Sequence, residues 1–527
     1  MSCASAPFPV NMPFFRSFSL LVAAACAPLL VLADLPLLTD PVAYNAWVYG
    51  DRPNQTYYSS SLVSPRFLVN KWNKNATNFG SHIFMAPANP DQNATPMIFS
   101  SKDLSLVYAD PSWNGGTDTR MQFYDQTPYL TFWSGFDEKG HGSGGGVMVD
   151  PNYNMFKNLT TTGLITGADS HDFSLTRDGG AIMNNYHIIY TDLTSIGGPV
   201  NGSLLTCAFQ EVDIETGEVR FTWNSMDHFN LTESLADKYK DTEKGFDWFH
   251  MNAISKTVDG NYLISIRHLR TVALINGTDG SRIWQVGGVN NSFRDMSGGN
   301  ATNFAFQHDA RFTDAGENQI TLFDNHVMHV NSPTSGCTQD CTRAMRVALD
   351  YDAMEVRLVS EFYHPQSVQA WAQGGYHLLP NGNALIGWGV VPAMTEFDEA
   401  GNVAMDIQIR PWNTTKAGGG PLYRVYKFDW VGEPLWEPSC AFVDGTVYVS
   451  WNGATKVTHW SLSGGPSPLT MEHVATVRKS GFETGILAPN DVSFVRVHAL
   501  DADGNVVGTS NVVDTSSGDS VGSRIRT

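Results

Sequence analysis

The sequence predicts an all-β protein, with a β-propeller followed by a small C-terminal β-sandwich. Strand–turn–strand units recur through the middle of the chain, and sustained helical periodicity is scarce. Charged residues are only 16% of the chain, aromatic residues are 12%, and 48 of the 527 residues are glycine, a balance typical of β-rich proteins. Repeated antiparallel sheets at this spacing favour a propeller over an extended array of β-sandwiches.

The repeat is visible from Gly163 onward. Its opening halves align as His171–Tyr186, His250–Arg267 and Tyr376–Gly389, and its closing halves as Val212–Trp223, Leu274–Gly288 and Thr395–Ile407. Turns such as RDGG, VDGN and LPNGN join apolar runs, and Asp-Gly or Asn-Gly in that setting is a strong hairpin signal. The glycine cluster at His141–Asp150 also predicts a hairpin, because no Gly-Lys-Ser/Thr follows to make a phosphate loop.

The N-terminal segment predicts a signal peptide over residues 1–33. An apolar run, Ser19–Ala33, follows Arg16 and ends in Val31-Leu32-Ala33, a small-residue cleavage pattern. An uncleaved anchor is the alternative, but the run is shorter than the roughly 20 residues that a spanning helix needs. No later stretch is expected to cross a membrane.

N-glycosylation sequons agree with export, so a secreted, extracellular protein is expected. They occur at Asn54, Asn75, Asn93, Asn158, Asn201, Asn230, Asn276, Asn290, Asn300 and Asn413.

The repeat ends after Pro421–Gly432, which sets the predicted domain boundaries. The propeller is expected over residues 34–432. The strand-like sequence of residues 436–515 predicts a sandwich similar to a fibronectin-type module. Residues 516–527 are rich in Ser and Gly and are expected to be disordered.

Four cysteines remain after the predicted signal peptide: Cys207, Cys337, Cys341 and Cys440. In an oxidising compartment they allow three pairings. Cys337–Cys341 is favoured because it closes the short CTQDC loop, with Cys207–Cys440 as the second pair. A zinc site is disfavoured, since the chain has one short-spaced pair and no second one to match it.

The formal net charge of −19 argues against nucleic acid as a partner, because phosphate binding needs a positive field. It leaves room for a small anion in a locally positive pocket.

Polar residues at the ends of the repeat strands are the candidate site: His171, His250, Asn252, Arg267 and His308. The inner strands of a propeller line one channel, so equivalent positions of different units are expected to converge. Such a set suits an oxyanion. Three histidines can also hold zinc, although Arg267 nearby disfavours a dication. Each histidine alone is more often a satisfied structural residue.

At these residues the sequence resembles the arylsulfotransferase family, in its secreted fungal-type branch. The matching motifs are SHDFSLTRDG, DWFHMNAI, DGNYLISIRH, IWQVGG, FQHDAR, LFDN, LLPNGNALIGWG and TEFD, over about residues 165–430. The resemblance implies a six-bladed propeller that moves a sulfuryl group from an aryl sulfate to a phenol, without a nucleotide cofactor, through a sulfated histidine.

Carried over by motif, the resemblance implies that His308 is the nucleophile and that His250, Asn252 and Arg267 bind sulfate. It implies that His171 is a further pocket histidine, which can protonate the leaving phenol and then deprotonate the incoming one. Asp309 or Asn325 is expected to orient the ring of His308, and Thr395 and Glu396 to lie at a late pocket position. Neither a cofactor nor a metal is expected, and the substrates are expected to be phenols and aryl sulfates.

The chain departs from the bacterial pattern in residues 34–160 and just after the histidine of QHDA. Two alternatives therefore stay open. One is a non-catalytic secreted propeller that binds glycans or proteins, and the other is a hydrolase of sulfate esters. A sulfatase of the formylglycine type is not predicted, because neither C-x-P-x-R nor S-x-P-x-R occurs.

Overall fold

The structure is a computed structural model that describes residues 30–87, 94–137, 140–236, 239, 244–327, 337, 341–412 and 422–521. It is nearly all-β. The described helices are one short α-helix, α1 (Pro41–Asn45), and three 3-10 turns at Thr194–Ile196, Ser225–Asp227 and Leu231–Glu233. Asp40 caps α1, because its Oδ1 accepts from the backbone N–H groups of Val42 and Ala43. No described helix has the length and apolar character needed to cross a membrane.

The N-terminal strands do not form a sheet of their own apart from the β2–β3 pair. They are β1 (Leu30–Leu32), β2 (Asn54–Thr56), β3 (Val63–Pro65), β4 (Leu68–Trp72), β5 (His82–Pro87), β6 (Met97–Ser100) and β7 (Leu106–Ala109).

Five antiparallel sheets then follow one another along the chain. The first is β8 (Thr117–Tyr124), β9 (Thr127–Asp137), β10 (Gly142–Val149) and β11 (Met155–Leu159). The second is β12 (Phe173–Leu175), β13 (Gly180–Thr191), β14 (Gly202–Asp213) and β15 (Val219–Asn224), with β16 (Phe246–Asp247) added to β14. The third is β17 (Met251–Lys256), β18 (Tyr262–Ile266), β19 (Thr271–Ile275) and β20 (Arg282–Gly287). The fourth is β21 (Arg294–Asp295), β22 (His308–Phe312), β23 (Gln319–Asp324), β24 (Arg343–Asp350) and β25 (Glu355–Tyr363). The fifth is β26 (Gly375–Leu378), β27 (Ala384–Gly387), β28 (Ala393–Phe397) and β29 (Val403–Gln408).

Strands that lie far apart in the sequence pair to complete the fifth and sixth sheets. The next strand, β30 (Leu422–Phe428), pairs with β5 to make a sixth sheet, β30-β5-β6-β7, and β4 pairs with β29 at the edge of the fifth. Neighbouring sheets contact each other in sequence, and β30 of the sixth contacts β8 of the first. The six sheets therefore close on themselves.

Six apolar clusters fill the spaces between neighbouring sheets. One cluster packs Ile182 and Phe209 of the second sheet against Ile264 of the third, and another packs Leu263 of the third against Leu322 of the fourth. The cluster of Phe84 and Phe132 lies between the sixth and first sheets, where the two ends of the ring meet. The remaining spaces are filled in the same way. Each large side chain buried there stabilises the fold by about 1.5–3 kcal/mol.

The predicted hairpins of the repeat lie where the sequence places them. The RDGG turn joins β12 to β13, VDGN joins β17 to β18, and LPNGN joins β26 to β27. The glycine cluster forms β10, which pairs with β9 as a hairpin. The turn glycines Gly179, Gly260 and Gly382 all have φ near +80°, which a side chain at Cβ would strain.

The C-terminal region holds two further sheets around one apolar cluster. Its strands are β31 (Ser439–Val443), β32 (Thr446–Ser450), β33 (His459–Gly465), β34 (Glu472–Arg478), β35 (Glu483–Leu487), β36 (Phe494–Leu500), β37 (Val506–Thr509), β38 (Val512–Asp514) and β39 (Ser520–Val521). One sheet has the order β1-β35-β32-β31, so it includes Leu30–Leu32 from the predicted signal peptide. The other ends in β39, which lies within the segment predicted to be disordered.

The cysteines correct one prediction and confirm another. Cys337 and Cys341 form the predicted disulfide, with Cα atoms 5.7 Å apart. The predicted Cys207–Cys440 bond is wrong, since both are free. Cys207 packs in the apolar cluster of the second and third sheets and Cys440 against the C-terminal cluster, so the fold separates them. An even number of cysteines did not require a second bond.

Most described sequon asparagines are exposed: Asn54, Asn75, Asn158, Asn201, Asn230, Asn290 and Asn300. Asn276 is half-buried, and Asn93 and Asn413 lie outside the described residues.

Candidate active site

The predicted site residues lie at the starts and ends of strands from successive sheets. His171 lies just before β12, His250 just before β17, His308 is the first residue of β22, and Arg267 follows β18. The rings of His171 and His250 lie edge to face with centroids 4.8 Å apart. The backbone of Arg267 donates to the carbonyl of His250 over 2.9 Å. His250 has a φ of 58°, a left-handed conformation rare outside glycine and typical of functional sites.

An aspartate holds His171. The Nδ1 of His171 lies 2.5 Å from Oδ1 of Asp169, which is fully buried and also accepts from the backbone of Gly142. Burial raises the pKa of Asp169, but the charge and hydrogen bond of His171 outweigh it and leave that pKa below its usual value. The carboxylate therefore stays ionised and orients the imidazole, whose Nε2 has no partner among the described residues.

A second aspartate, Asp247, forms hydrogen bonds with three histidines. Its Oδ2 lies 2.5 Å from Nδ1 of His250 and 3.2 Å from Nε2 of His141, and its backbone carbonyl accepts from Nδ1 of His268 over 2.7 Å. Burial raises the pKa of Asp247, but the neighbouring histidines lower it well below its usual value. Burial lowers the pKa of His250 far below its usual value, so this imidazole is neutral at physiological pH.

Arg267 and His268 form a pair beside this cluster. Nη1 of Arg267 donates to Nε2 of His268 over 2.6 Å, and Nη2 donates to the carbonyl of Trp371. The guanidinium also stacks over the ring of Phe306, 4.4 Å from its centroid. Burial lowers the pKa of Arg267 to about 10, so it remains a cation at neutral pH. Burial lowers the pKa of His268 to about 4.

His308 is held by an amide. Its Nδ1 lies 2.7 Å from Oδ1 of Asn325, while Nδ2 of Asn325 donates to the carbonyls of Ala370 and Gln373. Those two bonds fix the orientation of the amide, so Nδ1 of His308 carries the proton and Nε2 keeps its lone pair. The backbone N–H of Gln373 lies 3.2 Å from that Nε2. Burial, followed by the charge of Arg267, lowers the pKa of His308 far below its usual value.

The side chain of Asn252 joins two segments of the backbone. Its Nδ2 donates to the carbonyl of Gln307 over 2.7 Å, which ties β17 to the segment before β22. Its Oδ1 is buried without a hydrogen-bond partner. That oxygen can only accept, so the one donor left to the side chain is the second N–H of Nδ2.

Three other predicted residues make no contact with the rings of the site histidines. Thr395 bonds Trp388 and Asp406 within the fifth sheet. Glu396 is fully buried and pairs with Lys427 at 2.9 Å. Asp309 contacts Arg311 and Arg424 instead of the ring of His308, so Asn325 is the one that touches this ring.

An ionic network lies next to the histidines. Asp118, Asp172 and Asp309 pair with Arg120, Arg311 and Arg424 at 2.8–3.4 Å. Register shifts in the inner strands β8, β17, β22 and β30 lie beside Asp118, Asn252, Asp309 and Arg424. A separate cavity of about 340 Å³ is lined by Arg120, Asp309 and Arg311 but by none of the site histidines.

Several buried polar atoms of the histidine cluster have no partner in the described chain. They are Nδ1 of His141, Oδ1 of Asp247, Oδ1 of Asn252 and Nε of Arg267. Orphaned buried atoms cost about 1–3 kcal/mol each unless water or a ligand satisfies them. Their concentration here is typical of a binding site.

Two overlapping groups could also hold a metal ion, His141–Asp247–His250 and His141–Asp169–His171, with ligand atoms within 4.8 Å. Each group, however, contains a carboxylate and an imidazole only 2.5 Å apart. Ligands of one zinc ion, each about 2.0–2.2 Å from it, lie about 3 Å or more apart. We therefore interpret both groups as hydrogen-bonded pairs.

Sequence reasoning missed His141, Asp169, Asp247 and His268. An aspartate stands shortly before each of two predicted histidines, in DSH (169–171) and DWFH (247–250), and this spacing was a usable signal. No such signal marks His141, because it stands at the start of a glycine cluster in a different sheet.

Comparison with known families settles the relationship. The family model described as arylsulfotransferase (ASST) matches residues 120–410, which is more than half of the chain and includes every residue of the site. The chain belongs to the arylsulfotransferase family. Comparison with curated proteins found no match.

Similarity of this arylsulfotransferase-family chain to solved structures is low. A protein of unknown function from Bacteroides caccae is 15% identical, with a TM-score of 0.36, over 66% of this chain and 98% of that one. The periplasmic gluconolactonase of Pseudomonas aeruginosa is 13% identical, with a TM-score of 0.35, over 82% and 96%. A putative 6-phosphogluconolactonase from Bacteroides fragilis is 10% identical, with a TM-score of 0.35, over 67% and 99%. At these scores we draw no conclusion from them.

Proposed function

We propose that this protein is a secreted aryl sulfotransferase that works without a nucleotide donor. It moves a sulfuryl group from a phenolic sulfate ester to a phenol through a sulfated histidine. The observation that carries this proposal is the state of His308. Asn325, an amide and not a carboxylate, fixes the proton on Nδ1, so Nε2 is unprotonated at neutral pH, and its lone pair, which accepts from the backbone N–H of Gln373, turns to the sulfur for attack.

In the first half-reaction, Nε2 of His308 attacks the sulfur of the aryl sulfate, and the bond from sulfur to the aryl oxygen breaks. The leaving oxygen takes a proton from Nε2 of His171, which Asp169 orients. Arg267, a half-buried cation, donates to the sulfuryl oxygens. The products are a free phenol and sulfated His308.

In the second half-reaction, the incoming phenol gives its proton to Nε2 of His171. The phenolate oxygen attacks the sulfur, the nitrogen–sulfur bond breaks, and His308 regains its lone pair. The proton gained in this step equals the one given up in the first, so the full cycle neither consumes nor releases protons. The scheme requires ping-pong kinetics.

We propose further that the six closed sheets are the blades of a propeller and that the C-terminal sheets form a sandwich. Two features support the first assignment: the contact between β30 and β8, and the six inter-sheet apolar clusters. One shared cluster between two sheets supports the second. The exposed sequons and the apolar run of Ser19–Ala33 support export.

The test is turnover of 4-nitrophenyl sulfate with and without a second phenol. We expect the second phenol to accelerate release of 4-nitrophenol and to become sulfated, and His308→Ala to lose turnover by at least about 10³-fold. His377→Ala is the matched control, because His377 lies in the separate cavity beside the ionic network. Release that is independent of the second phenol would indicate a hydrolase, and full activity of His308→Ala would contradict the mechanism.

A further inference from the structure

The three motif residues assigned to sulfate binding supply few hydrogen-bond donors and one charged donor. The amide of Asn252 spends one N–H on Gln307 and keeps one, and its unpartnered Oδ1 is an acceptor. His250 gives Nδ1–H to Asp247 and is neutral, so its Nε2 presents a lone pair. Sulfate oxygens only accept hydrogen bonds. Arg267 is therefore the one charged donor among the three motif residues assigned to sulfate binding, His250, Asn252 and Arg267.

His141 lies where a second donor is needed. It precedes β10 of the first sheet, and its ring packs against Tyr186, His250 and His171, with centroids 4.4, 5.1 and 5.6 Å apart. Nε2 points at Asp247 over 3.2 Å, and Nδ1 is buried without a hydrogen-bond partner among the described residues. The side chain is 20% exposed, against 8% for His171. His141 thus belongs to the same cluster of side chains as His171 and His250, with one unpartnered nitrogen.

We propose that His141 binds the sulfuryl oxygens of the substrate as an imidazolium, donating from Nδ1, and that Asp247 is the positioning residue that holds it through Nε2. The inference rests on the proposed function for its substrate class, but it concerns anion binding and not turnover.

The charges around His141 favour its protonated form. Burial lowers its pKa, but the hydrogen bond and charge of Asp247, with the charges of Asp169 and Asp137, outweigh it and leave the pKa above its usual value. The other groups that face the ring are Tyr186 and the histidines 171, 250 and 268. His250 and His268 have lowered pKa values, so they stay neutral and do not repel a charge on His141.

A consequence is that sulfate affinity depends on pH. The site holds a cation at His141 below the raised pKa and loses it as the pH rises through that value. Sulfate remains a dianion throughout this range, so the change reports on the protein.

The experiment is calorimetric titration of the full chain with inorganic sulfate across pH, using wild type, His141→Gln and Asp247→Asn. We expect His141→Gln to weaken sulfate binding at least about tenfold at neutral pH and to abolish its loss at alkaline pH, because a charge-assisted hydrogen bond is removed. Asp247→Asn is expected to move that loss to lower pH. His364→Gln is the control, since His364 is a buried histidine 3.5 Å from Asp406, outside the pocket.

Each result decides the inference independently of turnover. Wild-type affinity and an unchanged pH profile in His141→Gln would overturn it, and so would a wild-type protein that binds no sulfate at any pH. If His141→Gln does not fold, judged by its unfolding curve, the shift in Asp247→Asn decides instead. Loss of turnover in His308→Ala with sulfate binding intact would leave the inference standing, because His308 tests the transfer step alone.

Discussion

At the scale of single residues, the partner of each histidine determines its role. His171 contacts the carboxylate of Asp169 at 2.5 Å, whereas His308 contacts an amide at 2.7 Å. A carboxylate stabilises an imidazolium, which suits a residue that carries a proton. An amide leaves the imidazole neutral, which suits a nucleophile. The difference between Asn325 and Asp169 therefore separates the nucleophile from the acid–base group.

Asn325→Asp tests this distinction with a change of one atom type. The new carboxylate would raise the pKa of His308, so the nucleophile would be protonated over a wider pH range. We expect turnover to fall by about tenfold or more below neutral pH and to recover in part at alkaline pH. The measurement is the pH profile of kcat/KM. An acid limb at the wild-type position would contradict the role given to Asn325.

The expected pH profile of the wild-type protein follows from two pKa shifts of opposite sign, at His308 and at His141. His308 must be unprotonated, and its pKa is lowered, so activity is lost only as pH falls well below the ordinary histidine pKa of about 6.5. His141 must be protonated, and its pKa is raised, so activity is lost as pH rises above that ordinary value. We expect a bell-shaped kcat/KM profile whose alkaline limb changes position in His141→Gln. A profile that is flat from acid to alkaline pH would exclude this assignment.

At the scale of elements, register shifts in β8, β22 and β30 lie at the charged residues of the ionic network. Asp118 and Asp309 have φ values of 58° and 54°, and Arg424 is fully buried between them. Asp172 and Asp309 directly follow His171 and His308, so the same strand ends supply both the site and the network beneath it. The network thereby couples the positions of strands from different sheets.

Arg424→Met is expected to destabilise the protein strongly. It removes the cation shared by Asp118, Asp172 and Asp309 and leaves three buried carboxylates to two arginines, and loss of one partner of a buried ionic group costs about 3–5 kcal/mol. The measurement is the free energy of unfolding in urea. Arg294→Met is the control, because Arg294 is 70% exposed in its pair with Glu355 and should cost about 1 kcal/mol or less. Equal losses in the two variants would contradict the structural role of the network.

At the scale of the whole molecule, much of the fold was predictable from local sequence. The RDGG, VDGN and LPNGN turns mark hairpins through glycine and through alternating apolar residues, both of which are local signals. Closure by β30 with β5, and the pairing of β4 with β29, joins residues more than 300 positions apart and leaves no local trace.

The candidate site was predictable only in part, for the same reason. His171, His250, Arg267 and His308 stand at repeat boundaries, where a periodic position draws attention to them. His141 stands outside that period, and its place beside Asp247 depends on how the first sheet packs against the second. The Asn252 prediction identified the position but not its partner, because the bond to Gln307 crosses between two sheets.

The free thiols test the arrangement of the two regions. We expect the denatured, unreduced chain from Asp34 onward to label at two cysteines, Cys207 and Cys440. In the native protein both should react slowly, since Cys207 is fully buried and burial raises the pKa of Cys440 to about 12. Thiol labelling with peptide mass mapping gives the count. If neither cysteine is labelled, the two are joined by a disulfide and the assignment of two free thiols is wrong.

The most direct test of the central claim is the covalent intermediate. Purified protein would be incubated with an aryl sulfate in the absence of a second phenol, quenched under alkaline conditions because a sulfated imidazole is acid-labile, and digested for peptide mass mapping. The mechanism predicts one sulfuryl group on the peptide that contains His308, lost on acid treatment or on addition of a phenol before the quench. A protein that turns over aryl sulfate while its sulfuryl group is found on another residue, or on none, would contradict the mechanism.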